Sequence, residues 1–195
     1  MNIAHYFTFL RILLIPFFPI IYLYPGWFGI TVVAMPYFLL GILIICEVTD
    51  VVDGFLARRK NQVTDVGKII DPMADTITHI SVFFTFTQGM VSIPLLLVFI
   101  LLYRELAISA LRTLCALRGY ALAARKSGKL KAILQAAVCF LIVILMIPYT
   151  LGYISLDVLQ TISLFAVCSV ALYTIITLAD YFYANREYIR KLVKS

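Results

Sequence analysis

Six long apolar segments, separated by short breaks, take up most of this 195-residue chain. They run over residues 7–24, 30–57, 67–88, 93–118, 128–151 and 156–183. A helix needs about 20 apolar residues to cross a bilayer, and these segments reach or approach that length. With 63% hydrophobic and only 13% charged residues, the chain is not a water-soluble globule. The sequence predicts an all-α integral membrane protein with six transmembrane helices, forming a single domain over residues 1–195.

The basic residues lie at alternate ends of these segments. Lys and Arg are frequent after the second and fourth segments and in the tail, and are absent near 25–29, 89–93 and 151–155. By the positive-inside rule we expect both termini to be cytoplasmic, in the plasma or inner membrane. The start lacks a basic region and a small-residue cleavage site, so we expect a retained first span rather than a signal peptide. The net charge of +6 indicates an anionic bilayer surface and anionic substrates, not nucleic acid.

Four aspartates interrupt the second and third apolar segments at helical spacing. At about 100° per residue, Asp50 and Asp53 share one helix face, and Asp71 and Asp75 share a face of the next helix. Carboxylates at membrane depth are costly and usually functional. Four that face one another repel strongly unless divalent cations lie between them. The spacing therefore predicts a di-metal site in a polar cavity that opens toward the cytoplasm.

Small residues accompany these acids. Gly54 and Ala57 share the face of the first acid pair, and Gly67 shares the face of the second. The absence of bulk lets a nucleotide or diphosphate approach the helix backbone, although close packing of two helices is an alternative explanation. Arg58 could pair with a phosphate or serve as an ordinary cation at the membrane interface.

A second polar group lies on the fourth segment and just after it. Arg104 and Arg112 are eight residues apart and so lie close to one helix face. An arginine in an apolar helix needs a partner, which Glu105 or an acid of the motif could supply. Lys129 and Lys131 follow at the start of the next segment. The functional interpretation of the group is an anion pocket, because guanidinium groups suit phosphate.

His79 follows Asp75 by four residues and therefore lies on the same helix face. It could tune that carboxylate. A hydrogen-bonded core histidine is the interpretation that we favour.

The acids and small residues form a recognisable signature. The pattern D-x2-D-G-x2-A-R-x8-G-x3-D-x3-D, from Asp50 to Asp75, resembles that of the CDP-alcohol phosphotransferase family at every defined position. The residues from Arg104 to Arg112, together with the sequence GKLK at 128–131, resemble its phosphatidylglycerophosphate synthase branch. The start of the chain, with Thr8 and Arg11, is similar too. The chain departs from the usual pattern of the branch at Ala4, His5, Thr76 and Ala110.

The resemblance implies a metal-dependent enzyme of phospholipid biosynthesis. It would transfer a phosphatidyl group from CDP-diacylglycerol to sn-glycerol 3-phosphate, giving phosphatidylglycerophosphate and CMP, and would be a homodimer. Two divalent cations, Mg²⁺ or Mn²⁺, would be its cofactors. The resemblance assigns Asp50, Asp53, Asp71 and Asp75 to the metals, Gly54, Ala57, Arg58 and Gly67 to the CDP group, and Arg104, Arg112 and Lys129 to the acceptor phosphate. Asp75 would also be the catalytic base.

Two other interpretations stay open at this point. The same chemistry could use another acceptor, such as serine, an inositol phosphate or phosphatidylglycerol. Serine has no phosphate to match the cations on the fourth segment, which counts against it. Intramembrane acids could also belong to a divalent-cation transporter, but a transporter is expected to have inverted repeats and helices broken at the midplane.

Overall fold

The structure is a computed structural model that describes the backbone of residues 3–59, 65–117, 126–186 and 190. Side chains are described at residues 8–52, 73–115, 127–186 and 190. Throughout these ranges the regular structure is helical, with no strand, which confirms the all-α prediction.

The elements follow one another with short connections. They are α1 (Ile3–Leu14), α2 (Phe17–Leu23), a 3₁₀ turn (Pro25–Phe28), α3 (Met35–Arg59), α4 (Asp65–Thr85), α5 (Leu95–Leu117), α6 (Lys126–Thr150) and α7 (Leu156–Ala184). Helix α3 packs against α1 and α6, while α7 packs against α5 and α6. Helix α4 contacts α1, α2, α5 and α6, so it lies at the centre of the bundle.

The first apolar segment is two helices rather than the single helix that we predicted. Helix α1 ends at Leu14 and α2 begins at Phe17, with Pro16 between them. Proline has no N–H to donate and its ring clashes with the carbonyl four residues earlier, so a helix breaks there. The two helices together still form one apolar stretch, Thr8–Leu23.

The described part of the chain has three helical stretches that are long and apolar enough to cross a membrane. They are Met35–Val52 in α3, Ser127–Thr150 in α6 and Leu156–Ala184 in α7. Large apolar side chains such as Leu13, Phe165 and Leu172 are exposed on the outside of the bundle. A surface this apolar suits a bilayer rather than water.

The interior has an apolar part and a polar part. The apolar core includes Phe18 of α2 and Phe86 just beyond α4, whose rings meet edge to face at 5.8 Å. Nearer the α3–α4 and α5–α6 connections, buried polar side chains replace this packing, among them Arg11, Arg104 and Lys131. The candidate site lies in that polar part.

The turn after α4 depends on a glycine. Gly89 has a φ of +67°, and a Cβ there would lie 2.8 Å from a ring carbon of Tyr22. The Tyr22 hydroxyl donates to the Gln88 carbonyl at 2.9 Å and accepts from the Val91 amide at 3.1 Å, which fastens α2 to this turn. A side chain at position 89 would therefore displace the ring and break both bonds.

We expect Gly89→Ala to destabilise the fold more than Gly152→Ala. Both glycines have positive φ, but a Cβ at Gly152 meets nothing within 4 Å. The left-handed backbone alone costs about 1–2 kcal/mol, and each lost hydrogen bond adds about 0.5–1.5 kcal/mol at position 89. Chemical unfolding of both variants in detergent measures the difference. Equal losses would show that the Tyr22 contact does not stabilise the turn.

Candidate active site

Two acids of the motif converge on one arginine. Asp50 on α3 and Asp75 on α4 both contact the Nη1 atom of Arg11 on α1 through their Oδ1 atoms, at 2.7 Å for Asp50. The Arg11 side chain is 2% exposed, whereas those of Asp50 and Asp75 are 35% and 38% exposed. The guanidinium group is therefore buried, whereas the two carboxylates that contact it remain partly exposed.

The other motif residues lie on the same two helices. Asp53, Gly54, Ala57 and Arg58 belong to the last turns of α3, and Gly67 and Asp71 to the first turns of α4. Their side chains lie outside the described residues. The structure thus brings Asp50 and Asp75 together and leaves the remaining metal and CDP assignments as predictions.

The described pair suits a hard divalent cation. Mg²⁺ and Mn²⁺ prefer carboxylate oxygens, and the Oδ1 atoms of Asp50 and Asp75 are close enough to share one nitrogen. Among the side chains that the structure describes, no group of three His, Cys, Asp or Glu residues could hold a metal.

A second contact joins α3 and α4 one turn away. Glu47 precedes Asp50 by three residues and His79 follows Asp75 by four. The His79 Nε2 atom lies 3.1 Å from Glu47 Oε1, and His79 is buried. This confirms the prediction of a hydrogen-bonded core histidine. Because the contact crosses between the helices that carry the acid pair, it fixes their relative position.

A buried cationic cluster lies on α5 and α6. The Arg104 Nη1 atom donates to both carboxylate oxygens of Glu105, at 3.1 and 3.3 Å. Lys131 Nζ also donates to Glu105, from the other helix. The sequence predicted either Glu105 or an acid of the motif as the partner of Arg104, and the structure shows Glu105. Two buried cations share one carboxylate, so this cluster, which we call the Glu105 cluster, has a net positive charge.

The Glu105 cluster also contains hydrogen-bond donors that have no acceptor among the described residues. Within the described part of the chain, Arg104 Nε and Gln135 Nε2 are buried and have no hydrogen-bond partner. Gln135 follows Lys131 by one helical turn and so lies on its face. A Cβ at Gly128 would come within 3.7 Å of Arg104 Nη2, so the α6 backbone passes close to the guanidinium group. Surplus charge and surplus donors together suit an anion.

Arg112 and Lys129 lie outside this buried cluster. Arg112 Nε donates to the Tyr181 hydroxyl at 3.4 Å, and its guanidinium carbon lies 5.7 Å from the centre of that ring. Lys129 is exposed near the start of α6. The lysine that the structure joins to Arg104 through Glu105 is therefore Lys131, two residues further along the chain.

The acid pair and the Glu105 cluster lie on neighbouring helices. Asp75 belongs to α4 and Lys131 to α6, and these two helices are in contact. An anion-repelling carboxylate pair and an anion-attracting cluster thus adjoin in one polar region. Such an arrangement can hold a metal-bound anion and a second, metal-free anion side by side.

The sequence model of the family described as CDP-alcohol phosphatidyltransferase matches residues 1–161 of this chain. The chain belongs to that family. This confirms the resemblance drawn from the Asp50–Asp75 pattern. It also identifies the protein as an enzyme, a CDP-alcohol phosphatidyltransferase.

Curated relatives of this CDP-alcohol phosphatidyltransferase are named CDP-diacylglycerol–glycerol-3-phosphate 3-phosphatidyltransferase. The one from Bacillus subtilis is 30% identical over 196 residues, which cover 97% of this chain and 97% of the relative. The one from Rickettsia typhi is 30% identical over 96% of this chain and 98% of its own length. The one from Treponema pallidum is 32% identical over 67% of this chain and 63% of its own length.

Two contacts of this CDP-alcohol phosphatidyltransferase were not predicted from the sequence. Arg11 entered only through the family resemblance, although it lies in an apolar helix and needs a partner just as Arg104 does. The resemblance assigned Lys129 to the acceptor phosphate, whereas the lysine that the structure joins to Arg104 through Glu105 is Lys131. Lys131 shares a helix face with Gln135, and Lys129 does not.

We expect Lys131→Met and Lys129→Met to differ sharply in stability. Removing the Lys131 ammonium breaks a buried charged hydrogen bond to Glu105, worth about 1.5–3 kcal/mol. The exposed Lys129 should change the free energy of unfolding by no more than about 0.5 kcal/mol. Urea unfolding of both variants in the same detergent gives the comparison. Similar losses would contradict the assignment of Lys131 as the inner lysine.

Proposed function

We propose that this enzyme transfers a phosphatidyl group from CDP-diacylglycerol to sn-glycerol 3-phosphate, giving phosphatidylglycerophosphate and CMP. The observation that carries the proposal is the adjacency of the acid pair and the Glu105 cluster. The first suits a metal-bound diphosphate, and the second suits a phosphate that arrives without a metal. The names of the full-length relatives support the same pair of substrates.

The donor side of the site uses the helices α3 and α4. Asp50, Asp53, Asp71 and Asp75 would hold two divalent cations, Mg²⁺ or Mn²⁺. When bound, these ions neutralise the diphosphate and stabilise the departing CMP. The CDP group would lie against Gly54, Ala57, Arg58 and Gly67, where small residues let it approach the helix backbones. The acyl chains of the donor can stay in the bilayer, which accounts for a membrane enzyme acting on a nucleotide.

The reaction itself exchanges a phosphoanhydride bond for a phosphodiester bond. The 1-hydroxyl oxygen of glycerol 3-phosphate forms a bond to the phosphorus of the phosphatidyl group, and the bond from that phosphorus to CMP breaks. The hydroxyl proton passes to the carboxylate of Asp75, which is the general base. Arg11 holds the Asp75 Oδ1 atom and so orients this carboxylate toward the cavity.

The acceptor phosphate would bind to the cations of α5 and α6. Arg104 has a buried donor without a partner, and Arg112 and Lys129 lie toward the ends of α5 and α6 that adjoin residues 118–125. We assign these three cations to the phosphate of glycerol 3-phosphate, with Lys131 and Glu105 fixing Arg104. Serine would leave the surplus positive charge of this cluster unmatched. The acceptor is therefore a phosphate ester.

The membrane arrangement follows from charge and length. Six spans would be α1 with α2, then α3, α4, α5, α6 and α7. The basic residues near the α3–α4 and α5–α6 connections and in the tail favour a cytoplasmic location of both termini and of the site. The protein would form a single domain in each subunit of a homodimer, as the family resemblance implies.

Release of CMP by the purified protein tests the proposed function. With CDP-diacylglycerol in mixed micelles, glycerol 3-phosphate should support CMP release that serine, an inositol phosphate and phosphatidylglycerol do not match. Removal of divalent cations by a chelator should abolish it, and Mg²⁺ or Mn²⁺ should restore it. Faster release with another acceptor would contradict the assignment of the Glu105 cluster. Release that survives exhaustive chelation would contradict the metal assignment.

We expect Asp75→Asn to abolish turnover while sparing much of the donor affinity. The substitution keeps the shape of the side chain but removes its capacity to accept a proton, and a general base contributes about 10²–10⁴-fold to a rate. Asp50 remains, with Asp53 and Asp71, to hold metal. Single-turnover CMP release and binding of CDP-diacylglycerol are measured on the same preparation.

Two outcomes would change the role of Asp75. Loss of donor binding together with turnover would make it chiefly a metal ligand. Turnover within about tenfold of the unaltered enzyme would be too small an effect for a general base. Lys129→Met is the matched comparison, because loss of a charged contact to the acceptor phosphate should raise the acceptor KM by about tenfold or more.

A further inference from the structure

Arg11 is the residue that joins the three helices around the acid pair. It extends from α1, which packs against both α3 and α4. Its Nη1 atom touches one oxygen from each helix, Asp50 Oδ1 at 2.7 Å and Asp75 Oδ1. The guanidinium group lies in the interior, while the two carboxylates are partly exposed.

A guanidinium nitrogen and a divalent cation compete for such a position. Two carboxylates this close repel one another unless a cation lies between them. Arg11 supplies one, with a hydrogen bond of ordinary length to Asp50. A Mg²⁺ ion binds carboxylate oxygens at about 2.0–2.1 Å and demands nearly octahedral geometry. An ion that binds these oxygen atoms therefore competes electrostatically with the guanidinium group that already neutralises them.

We propose that Arg11 is an internal counter-ion of the metal site, an inference that rests on the proposed function. It keeps Asp50 and Asp75 together before a divalent cation binds, and it releases at least one of these Oδ1 atoms when the cation enters. Arg11 is accordingly a positioning residue. It lowers the cost of holding two acids close together, and it weakens metal binding because the incoming ion must replace it.

Binding of Mn²⁺ to chelator-treated protein in detergent tests this proposal without any measurement of activity. In Arg11→Met the acids lose their internal cation, so an incoming ion meets more unneutralised charge. We expect Mn²⁺ to bind about tenfold more tightly, since a neighbouring charge shifts such equilibria by at least that factor. We also expect the variant to have a lower melting temperature than the unaltered protein without Mn²⁺ and a larger rise in that temperature when Mn²⁺ is added.

Two further variants keep the test decisive. Arg104→Met removes another buried arginine, one that pairs with Glu105 instead of the acid pair, and should change Mn²⁺ affinity far less than Arg11→Met does. Arg11→Lys keeps the charge but loses the planar fork, and should fall between the unaltered protein and Arg11→Met. If Arg11→Met does not fold even with Mn²⁺, the affinity of Arg11→Lys decides.

The outcomes separate this inference from the proposed function. Tight Mn²⁺ binding by the unaltered protein with weaker binding by Arg11→Met or Arg11→Lys would overturn the counter-ion role alone. The phosphatidyl transfer and its metal requirement would stand. Absence of Mn²⁺ binding by the unaltered protein would overturn the inference together with the metal assignment. Recovery of a melting transition by Arg11→Met only when Mn²⁺ is added would support the inference directly.

Discussion

The contact of Arg11 with Asp50 and Asp75 decides how the polar part of this bundle is arranged. A charge buried in apolar surroundings is costly unless an opposite charge lies beside it. The two carboxylates belong to α3 and α4, and the guanidinium group belongs to α1. The contact with both carboxylates therefore favours one relative position of the three helices. A shift of α1 by one turn would separate the buried guanidinium group from Asp50 and Asp75.

The same constraint recurs in two more contacts. Glu47 and His79 join α3 to α4, and Glu105 joins α5 to α6 through Lys131. Each contact crosses between helices that the apolar packing alone would fix only loosely, because lipid tails are as apolar as leucine side chains. Buried polar contacts thus specify the arrangement near the site. Close packing around residues such as Phe18 and Phe86 stabilises the other part of the interior.

Much of this architecture could be predicted from the sequence because it is local. Hydrophobic runs predicted segments at 93–118 and 156–183, and the helices are Leu95–Leu117 and Leu156–Ala184. Helical spacing placed Asp50 and Asp75 on facing surfaces, and the chemistry of a buried arginine pointed to Glu105. The helix break at Pro16 could also have been predicted, since proline interrupts helices. The continuous apolar run over residues 7–24 predicted a single helix instead.

The partners of Arg11 and Lys131 could not be predicted in this way. Arg11 is separated from Asp50 and Asp75 by two helices and several connections, and nothing in the spacing of α1 says which helix it faces. Lys131 and Lys129 have the same chemistry, and only the packing of α6 against its neighbours buries one and exposes the other. Tertiary packing determines both outcomes.

The charges of the site give the proposed reaction a reason to use metal for one substrate and not for the other. Both substrates are anionic, and both would enter a region where water screens charge poorly. The donor diphosphate would meet Asp50 and Asp75, which repel it, so cations from solution would be needed to make the charge of that surface positive. The acceptor phosphate would meet the Glu105 cluster, whose positive charge is already present in Arg104 and Lys131. Asp75 lies on α4, which contacts the α6 helix that carries Lys131. As the proposed base, Asp75 would reach the acceptor hydroxyl while the two phosphates stay on surfaces that bind them by different means.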